Sequence, residues 1–260
     1  MPDQLSCYIL TWNSERHLEQ VLAPLVRVVD QLVVVDSGSS DRTCEIARRY
    51  GCEVHGRPFD DFRSQRTHAI GLCRHEWILS VDSDEVVTPE LERALLELKA
   101  RGFQHDAYRI RREWWALGRR VRVVYPLDCP DNPVRLFDRR QVSFSAGNRV
   151  HETPGGYRSI GQITAPLNHI TFESMSEIAR RLDQYTTISA LDLRDRNARC
   201  TIVKRWLSPI AAFLKWYVLK PGYRDGRVGF TLGCYAFKYT RLRYLKLAAM
   251  GGSVRREAAE

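Results

Sequence analysis

The stretch Trp77-Ile-Leu-Ser-Val-Asp-Ser-Asp-Glu85 brings an apolar run directly against three carboxylates. Trp77, Ile78, Leu79 and Val81 have the length and the aromatic, β-branched character of a buried strand. Acidic side chains are rarely buried without a partner or a cation. A buried strand ending in Asp82, Asp84 and Glu85 therefore delivers them to the carboxyl edge of a sheet, where open α/β sheets bind ligands. On a straight strand Asp82 and Asp84 share a face and can serve one site. Hard divalent cations such as Mg²⁺ or Mn²⁺ take oxygen ligands, shared between one or two carboxylates and substrate phosphates. A second reading treats the acids as a strand end followed by a helix cap, because Thr88-Pro89-Glu90 is a good helix start. Both readings stand on this segment alone.

Working towards the amino terminus, the pattern of apolar strand, small polar loop and helix repeats. Leu5 to Trp12 reads as a strand closed by Asn13-Ser14, either of which can cap a helix carrying Leu18, Val21, Leu22 and Leu25. Gln31 to Val35 is a second strand, ending at Asp36-Ser-Gly-Ser-Ser-Asp-Arg-Thr43, with a helix over 44–50. A short strand at 51–55, a helix over 61–72 and the Trp77 strand follow. Strand–loop–helix units in succession predict a parallel sheet with right-handed crossovers. The Gly-Ser-Ser loop matches neither G-x-G-x-x-G nor G-x-x-x-x-G-K-[ST], so the usual dinucleotide and P-loop readings fail. Asp36 reads either as a turn aspartate or as an acceptor for a base or ribose.

Working towards the carboxyl terminus, residues 88–101 predict a helix and 107–156 a strand- and loop-rich half punctuated by Pro and Gly. Ser174-Met-Ser-Glu177 is a capping-box pattern. Helices are expected from there, at about 202–219 and at about 228–248. The 260 residues carry a net charge of +9, placed unevenly. Residues 1–176 hold 23 Lys+Arg against 24 Asp+Glu, and residues 177–260 hold 17 against 7. The basic excess belongs wholly to the tail. Seven cysteines, an odd number without a C-x-x-C pair, read as reduced thiols of a cytoplasmic protein. The first ten residues lack the basic start of a secretory signal. No apolar run approaches the roughly 20 residues a membrane span needs.

Three segments together resemble family 2 glycosyltransferases of the GT-A fold: Thr11-Trp-Asn-Ser-Glu15, Val34-Val-Asp-Ser-Gly-Ser-Ser-Asp-Arg-Thr43 and Val81-Asp-Ser-Asp-Glu85. The likeness continues through Gln65-Arg66, Arg135-Leu-Phe137, Val150-His-Glu152 and Tyr217-Val-Leu-Lys-Pro-Gly-Tyr-Arg-Asp-Gly-Arg-Val-Gly-Phe230. Over roughly residues 5–247 it is similar to the bacterial group that includes lipopolysaccharide-core β-glucosyltransferases. The resemblance implies an inverting, metal-dependent enzyme: an α/β, GT-A-type, mostly parallel sheet flanked by helices, with a C-terminal helical basic extension. Residues 1–173 would form the catalytic domain, 1–100 its nucleotide-sugar half and 101–173 its acceptor half, and 174–260 the extension.

By matching motif position, Thr11, Glu15 and Asp36 would contact the nucleoside of a UDP-sugar and Asp82 the ribose or base side, with Ser83, Gln65 and Arg66 also on the donor. Asp84 would hold the Mn²⁺ or Mg²⁺ that bridges the diphosphate. Ser14 stands where the family has a second glutamate, and Thr67 where it commonly has asparagine. Both departures bear on the donor sugar.

The second half must supply a base and a groove for a glycan or glycolipid acceptor. Among Glu113, Asp128, Asp131, Asp138, Glu152 and Glu173, the choice falls on Glu152. It follows a strand end, adjoins His151 and precedes Thr-Pro-Gly-Gly. Asp128 and Asp131 sit in a Pro-rich turn with local reasons to be acidic, and Asp138 reads as a solvated ion pair with Arg139-Arg140. His151, taken here as a metal ligand, and His169 can each complete a metal shell or serve structure; His17, His55, His68, His75 and His105 read as surface or strand-edge residues. Arg135 and Trp114 are assigned to the acceptor, although paired aromatics such as Trp114-Trp115 are more often core. Residues 196–246 carry twelve Lys/Arg, one acid and ten aromatics. That composition predicts helices at an anionic membrane surface and a peripheral place on the inner face of the cell membrane. Two rivals are a sugar-phosphate nucleotidyltransferase, which would open with a Gly-rich, Arg-containing loop, and a nucleic-acid binder using the tail. No nucleic-acid motif is present, and no nucleic-acid partner is expected.

Overall fold

A computed structural model describes residues 3–142, 154–198 and 200–257. In chain order the elements are β1 (Leu5–Thr11), α1 (Glu15–Val28), β2 (Gln31–Asp36), α2 (Thr43–Arg49), β3 (Glu53–Gly56), α3 (Phe62–Leu72), β4 (Trp77–Asp82), β5 (Glu85–Val87) and α4 (Pro89–Arg101). There follow β6 (Ala107–Ala116), β7 (Arg119–Val121), β8 (Val123–Val124), β9 (Leu127–Asp128), β10 (Val134–Asp138), β11 (Ile160–Phe172), α5 (Met175–Asp195), α6 (Ile202–Phe213) and α7 (Gly226–Glu257). Two compact units emerge: residues 1–113 with 131–170, and residues 114–130 with 171–260. The division at 170/171 lies close to the expected boundary at 173/174, while the 114–130 segment groups with the helices.

In the first unit the sheet runs β3-β2-β1-β4-β10-β6-β11-β5. β3, β2, β1 and β4 are parallel, whereas β10 runs antiparallel to both β4 and β6, and β11 to β5. The α/β arrangement with flanking helices and a helical C-terminal region is as expected. Its parallel character is confined to the amino-terminal half, where helical crossovers connect the strands. β1 and β2 are buried almost throughout, as strands covered on both faces must be. Alternation sends Leu5, Cys7, Ile9, Val34, Leu79 and Val81 to one core, shared with Leu18, Val21, Leu22 and Leu25 of α1. Tyr8, Val33, Val35, Ile78 and Phe137 go to the other, with Ala69 and Cys73. The chain leaves β1 towards β2 and β3 and returns on its other side at β4. The switch point thus lies between β1 and β4, where the carboxyl ends of parallel strands open a crevice.

In the second unit Trp114, Ala116, Val121, Phe172, Ile178, Leu182, Leu232 and Tyr235 form one buried cluster. Leu117 and Gly118 both have positive φ, 50° and 74°, the requirement of a two-residue type I′ turn joining β6 to β7. The capping box is present in variant form: Ser174 Oγ accepts from Glu177 N at 3.1 Å, and the Glu177 carboxylate accepts from Glu173 N at 3.0 Å. The expected helix at 202–219 is α-helical only to Phe213 and continues as a π-helix over Leu214–Leu219.

Candidate active site

Thr11, Asp36 and Asp82 end three adjacent parallel strands, β1, β2 and β4, so they share one edge. Thr11 Oγ1 donates to Asp36 Oδ1 at 2.9 Å, and the Gly38 and Ser39 amides donate to Asp36 Oδ2 at 3.0 and 2.8 Å. Burial alone would raise the Asp36 carboxyl, but the bonds from Ser39, Thr11 and Gly38 outweigh it and hold its pKa below the ordinary value. Asp36 thus has a turn-aspartate role and still stands at the site edge.

The loops after β1 and β2 are laced together. Asn13, with φ of 48°, accepts from Ser40 N through Oδ1 at 2.9 Å. Glu15 Oε2 accepts from Arg42 N at 3.0 Å, and Glu15 N donates to Asp41 Oδ2 at 3.1 Å. Ser14 caps α1 only through its backbone; its hydroxyl donates to Ser83 Oγ at 3.0 Å. The residue that departs from the family pattern therefore ties the first motif to the acidic one.

Asp82-Ser-Asp84 is not a continuous strand. β4 ends at Asp82, Ser83 and Asp84 form a turn, and Glu85 opens β5. The expected face-sharing by strand alternation is replaced by a turn closed through Asp82 N donating to Glu85 Oε2 at 3.0 Å. Asp82 and Asp84 consequently have different neighbours. Asp82 is bound by Arg135 and lies 3.6 Å from Arg66 Nη2. Burial would raise it, but those two guanidinia hold it far below the usual carboxylate range. Asp84 keeps a partly exposed carboxylate, with His169 Nδ1 3.2 Å from Oδ1. Strand pairing aligns His169 with Glu85, one residue away. Burial would lower the His169 pKa, but Asp84 overcomes this and leaves it above the ordinary imidazole value.

Three expected contact residues lie beneath the surface. Gln65 is 1% exposed, and its amide nitrogen donates to the Arg57 and Pro58 carbonyls, both at 3.1 Å. It shapes the 57–58 loop from inside. Arg135, assigned above to the acceptor, is buried and bridges Asp82 and Glu85; a guanidinium on a buried strand requires carboxylate partners. Trp114 packs in the core of the second unit, the alternative reading of the tryptophan pair. Asp138, expected to be solvated, is buried and held by Arg140 at 2.7 Å.

The sequence reading missed the role of Glu85 and Arg112. Glu85 is fully buried, and Arg112 Nη1 donates to its Oε1 at 2.9 Å while Arg112 Nε donates to Asp131 Oδ1 at 2.9 Å. The signal available was two arginines, 112 and 135, within strand patterns. Glu152 and His151 lie outside the described residues, so the candidate base and second metal ligand have no described geometry.

Among the described residues no cluster of three or more His, Cys, Asp or Glu side chains could cage a metal. The chemistry available is a partly exposed carboxylate not claimed by the Arg66 and Arg135 guanidinia that hold Asp82, namely Asp84, with an imidazole beside it. That donor set fits a hard cation whose remaining ligands are diphosphate oxygens and water.

The fold and site together define an α/β protein with an acidic ligand site at the switch point of its parallel strands. Residues 6–154 match the model of glycosyl transferase family 2, and the chain belongs to that family. It is a glycosyltransferase using a nucleotide-sugar, which sets the nucleotidyltransferase alternative aside. The lipopolysaccharide core biosynthesis glycosyltransferase LpsC of Rhizobium meliloti is 27% identical over 248 residues, covering 90% of this chain and 89% of that one. An uncharacterized glycosyltransferase of Rickettsia conorii is 30% identical over 257 residues, covering 95% and 90%. Among solved structures, S. aureus TarS 1-349 in complex with UDP-GlcNAc has a TM-score of 0.47 at 15% identity, covering 98% of this chain and 92% of that one.

Proposed function

We propose that this enzyme moves a hexose from a UDP-sugar to a hydroxyl of a glycan or glycolipid, of the lipopolysaccharide-core class, with inversion at the anomeric carbon. The observation that carries the reading is the edge formed by Thr11, Asp36, Asp82 and Asp84, three of them at ends of adjacent parallel strands. Residues 1–100 serve as the nucleotide-sugar half, 101–173 as the acceptor half and 174–260 as the basic extension. The similarity to LpsC supports the acceptor class.

Thr11, Glu15 and Asp36 line the nucleoside end, with Asp36 kept anionic by its donors. Arg66 and Asp82 lie between that end and the diphosphate, with Ser83 at the turn. Asp84, with His169 beside it, would hold Mn²⁺ or Mg²⁺, with His151 the alternative imidazole ligand. Such an ion neutralises the charge that develops on the departing diphosphate. Glu152 would take the acceptor proton as attack proceeds. A lipid-borne acceptor puts the enzyme at the cytoplasmic face of the membrane, a location the basic extension suits.

The test is a screen of nucleotide-sugars against glycolipid extract, with product linkage and anomeric configuration read by NMR. Transfer from a UDP-sugar with inverted configuration is expected. A retained configuration, or nucleotidyl instead of sugar transfer, would overturn the reading.

A further inference from the structure

Within the second unit α7 and α6 treat their apolar residues differently. In α7, Leu232, Tyr235, Ala236, Tyr244 and Leu247 are buried. α6 and the π-helix pack against α7. The Phe213 and Tyr217 rings lie 6.0 and 5.7 Å from Phe230. Gly233 makes room for them, since a Cβ there would stand 3.1 Å from both side chains. Val203, Trp206, Leu207, Ile210, Leu214 and Val218 are nevertheless all exposed, Trp206 by 51% and Leu207 by 58%. Their spacing of three and four residues puts them on one continuous face. Trp206 is covered only in part, by the Arg241 guanidinium 5.1 Å from its ring. An apolar face of this kind marks an interaction site.

Charge identifies what it meets. Twelve Lys/Arg accompany a single acid, Asp225, between residues 196 and 246, and that carboxylate is bound by Arg122 N and Nη1, both at 2.7 Å. Lys204 and Lys215 stand about three turns apart on one flank of the apolar face. Aliphatic residues and a tryptophan edged by lysine and arginine match an interfacial helix on an anionic bilayer. No helix among the described residues is long and apolar enough to cross a membrane. We propose that the Val203–Val218 face seats in the headgroup boundary of an anionic bilayer, with its flanking bases on the lipid phosphates. This names the surface behind the peripheral location proposed above and rests on that location, not on the sugar chemistry.

The full-length enzyme is to be co-sedimented with vesicles of phosphatidylcholine alone and with about 30% phosphatidylglycerol added. Binding is expected only to the anionic vesicles and should fall at least about fivefold between low and high salt. Leu207→Glu with Leu214→Glu changes two exposed positions. The pair should keep the melting temperature and donor hydrolysis and reduce vesicle binding at least about tenfold. Equal binding to both vesicle types, binding to neither, or full binding by the folded variant overturns the proposal. So does a dimer in sedimentation equilibrium that the variant dissociates, which would assign the face to a second copy. Vesicle binding is scored without turnover, so membrane binding in an enzyme that transfers no sugar would retain the face and reject the chemistry.

Discussion

Arg112 Nη1 lies 2.9 Å from Glu85 Oε1, a carboxylate with no exposed surface. The same oxygen accepts from Arg135, which also holds Asp82. Glu85 is therefore the buried centre of a chain of contacts from Asp131 to the site.

Truncating that centre should be severe. Glu85→Ala leaves two buried guanidinia facing each other, and breaking a buried pair costs about 3–5 kcal/mol. Urea unfolding measures it; a loss below about 1 kcal/mol would mean water or rearranged partners replace Glu85.

Asp84→Ala should behave oppositely. Its carboxylate is partly exposed and lies beside His169, so stability should change by less than about 1 kcal/mol. Turnover in saturating Mn²⁺ should fall by about 10²–10³. Near-normal turnover would move the metal assignment elsewhere.

For Glu152→Gln, removal of a positioned base predicts a loss in kcat of about 10²–10⁴ with unchanged UDP affinity. Isothermal titration with UDP separates the two effects. Lost UDP binding would make Glu152 a structural or metal-holding residue, and full activity would direct the search to Asp128 or Asp131.

Asp36 predicts an acid dependence of stability. Its folded pKa lies below the unfolded value of about 3.9. Its contribution is therefore present above about pH 4 and lost as pH falls through the folded value. Comparing wild type with Asp36→Asn from pH 7 to pH 3, the stability gap should narrow on acidification. A gap that stays constant or widens would contradict the proposed hydrogen-bond stabilisation of the anion.

The parallel half was legible because β1, β2 and β4 are apolar runs of six or seven residues closed by small polar or acidic residues, as in Val33-Val34-Val35-Asp36. The second half was less so: β8 and β9 are two-residue strands, and β10 is five residues long. Motif position assigned Asp82 and Asp84 different roles, whereas strand alternation put them on one face, because it could not foresee the turn at Ser83 and Asp84. Burial was the other hidden quantity. Gln65 and Arg135 carry polar groups typical of a ligand site, and only their placement under the edge shows that the protein itself uses them.

The ion-pair chain has an electrostatic consequence for donor entry. Asp82, Glu85 and Asp131 carry three negative charges, balanced by Arg66, Arg112 and Arg135. The network is electroneutral by itself and offers no surplus cation to a diphosphate. Asp84 adds a further negative charge at the rim, only partly offset by an imidazole that binds a proton more tightly than usual. Donor and divalent cation should therefore be thermodynamically linked, each raising the other's affinity, with UDP alone a poor occupant of the edge.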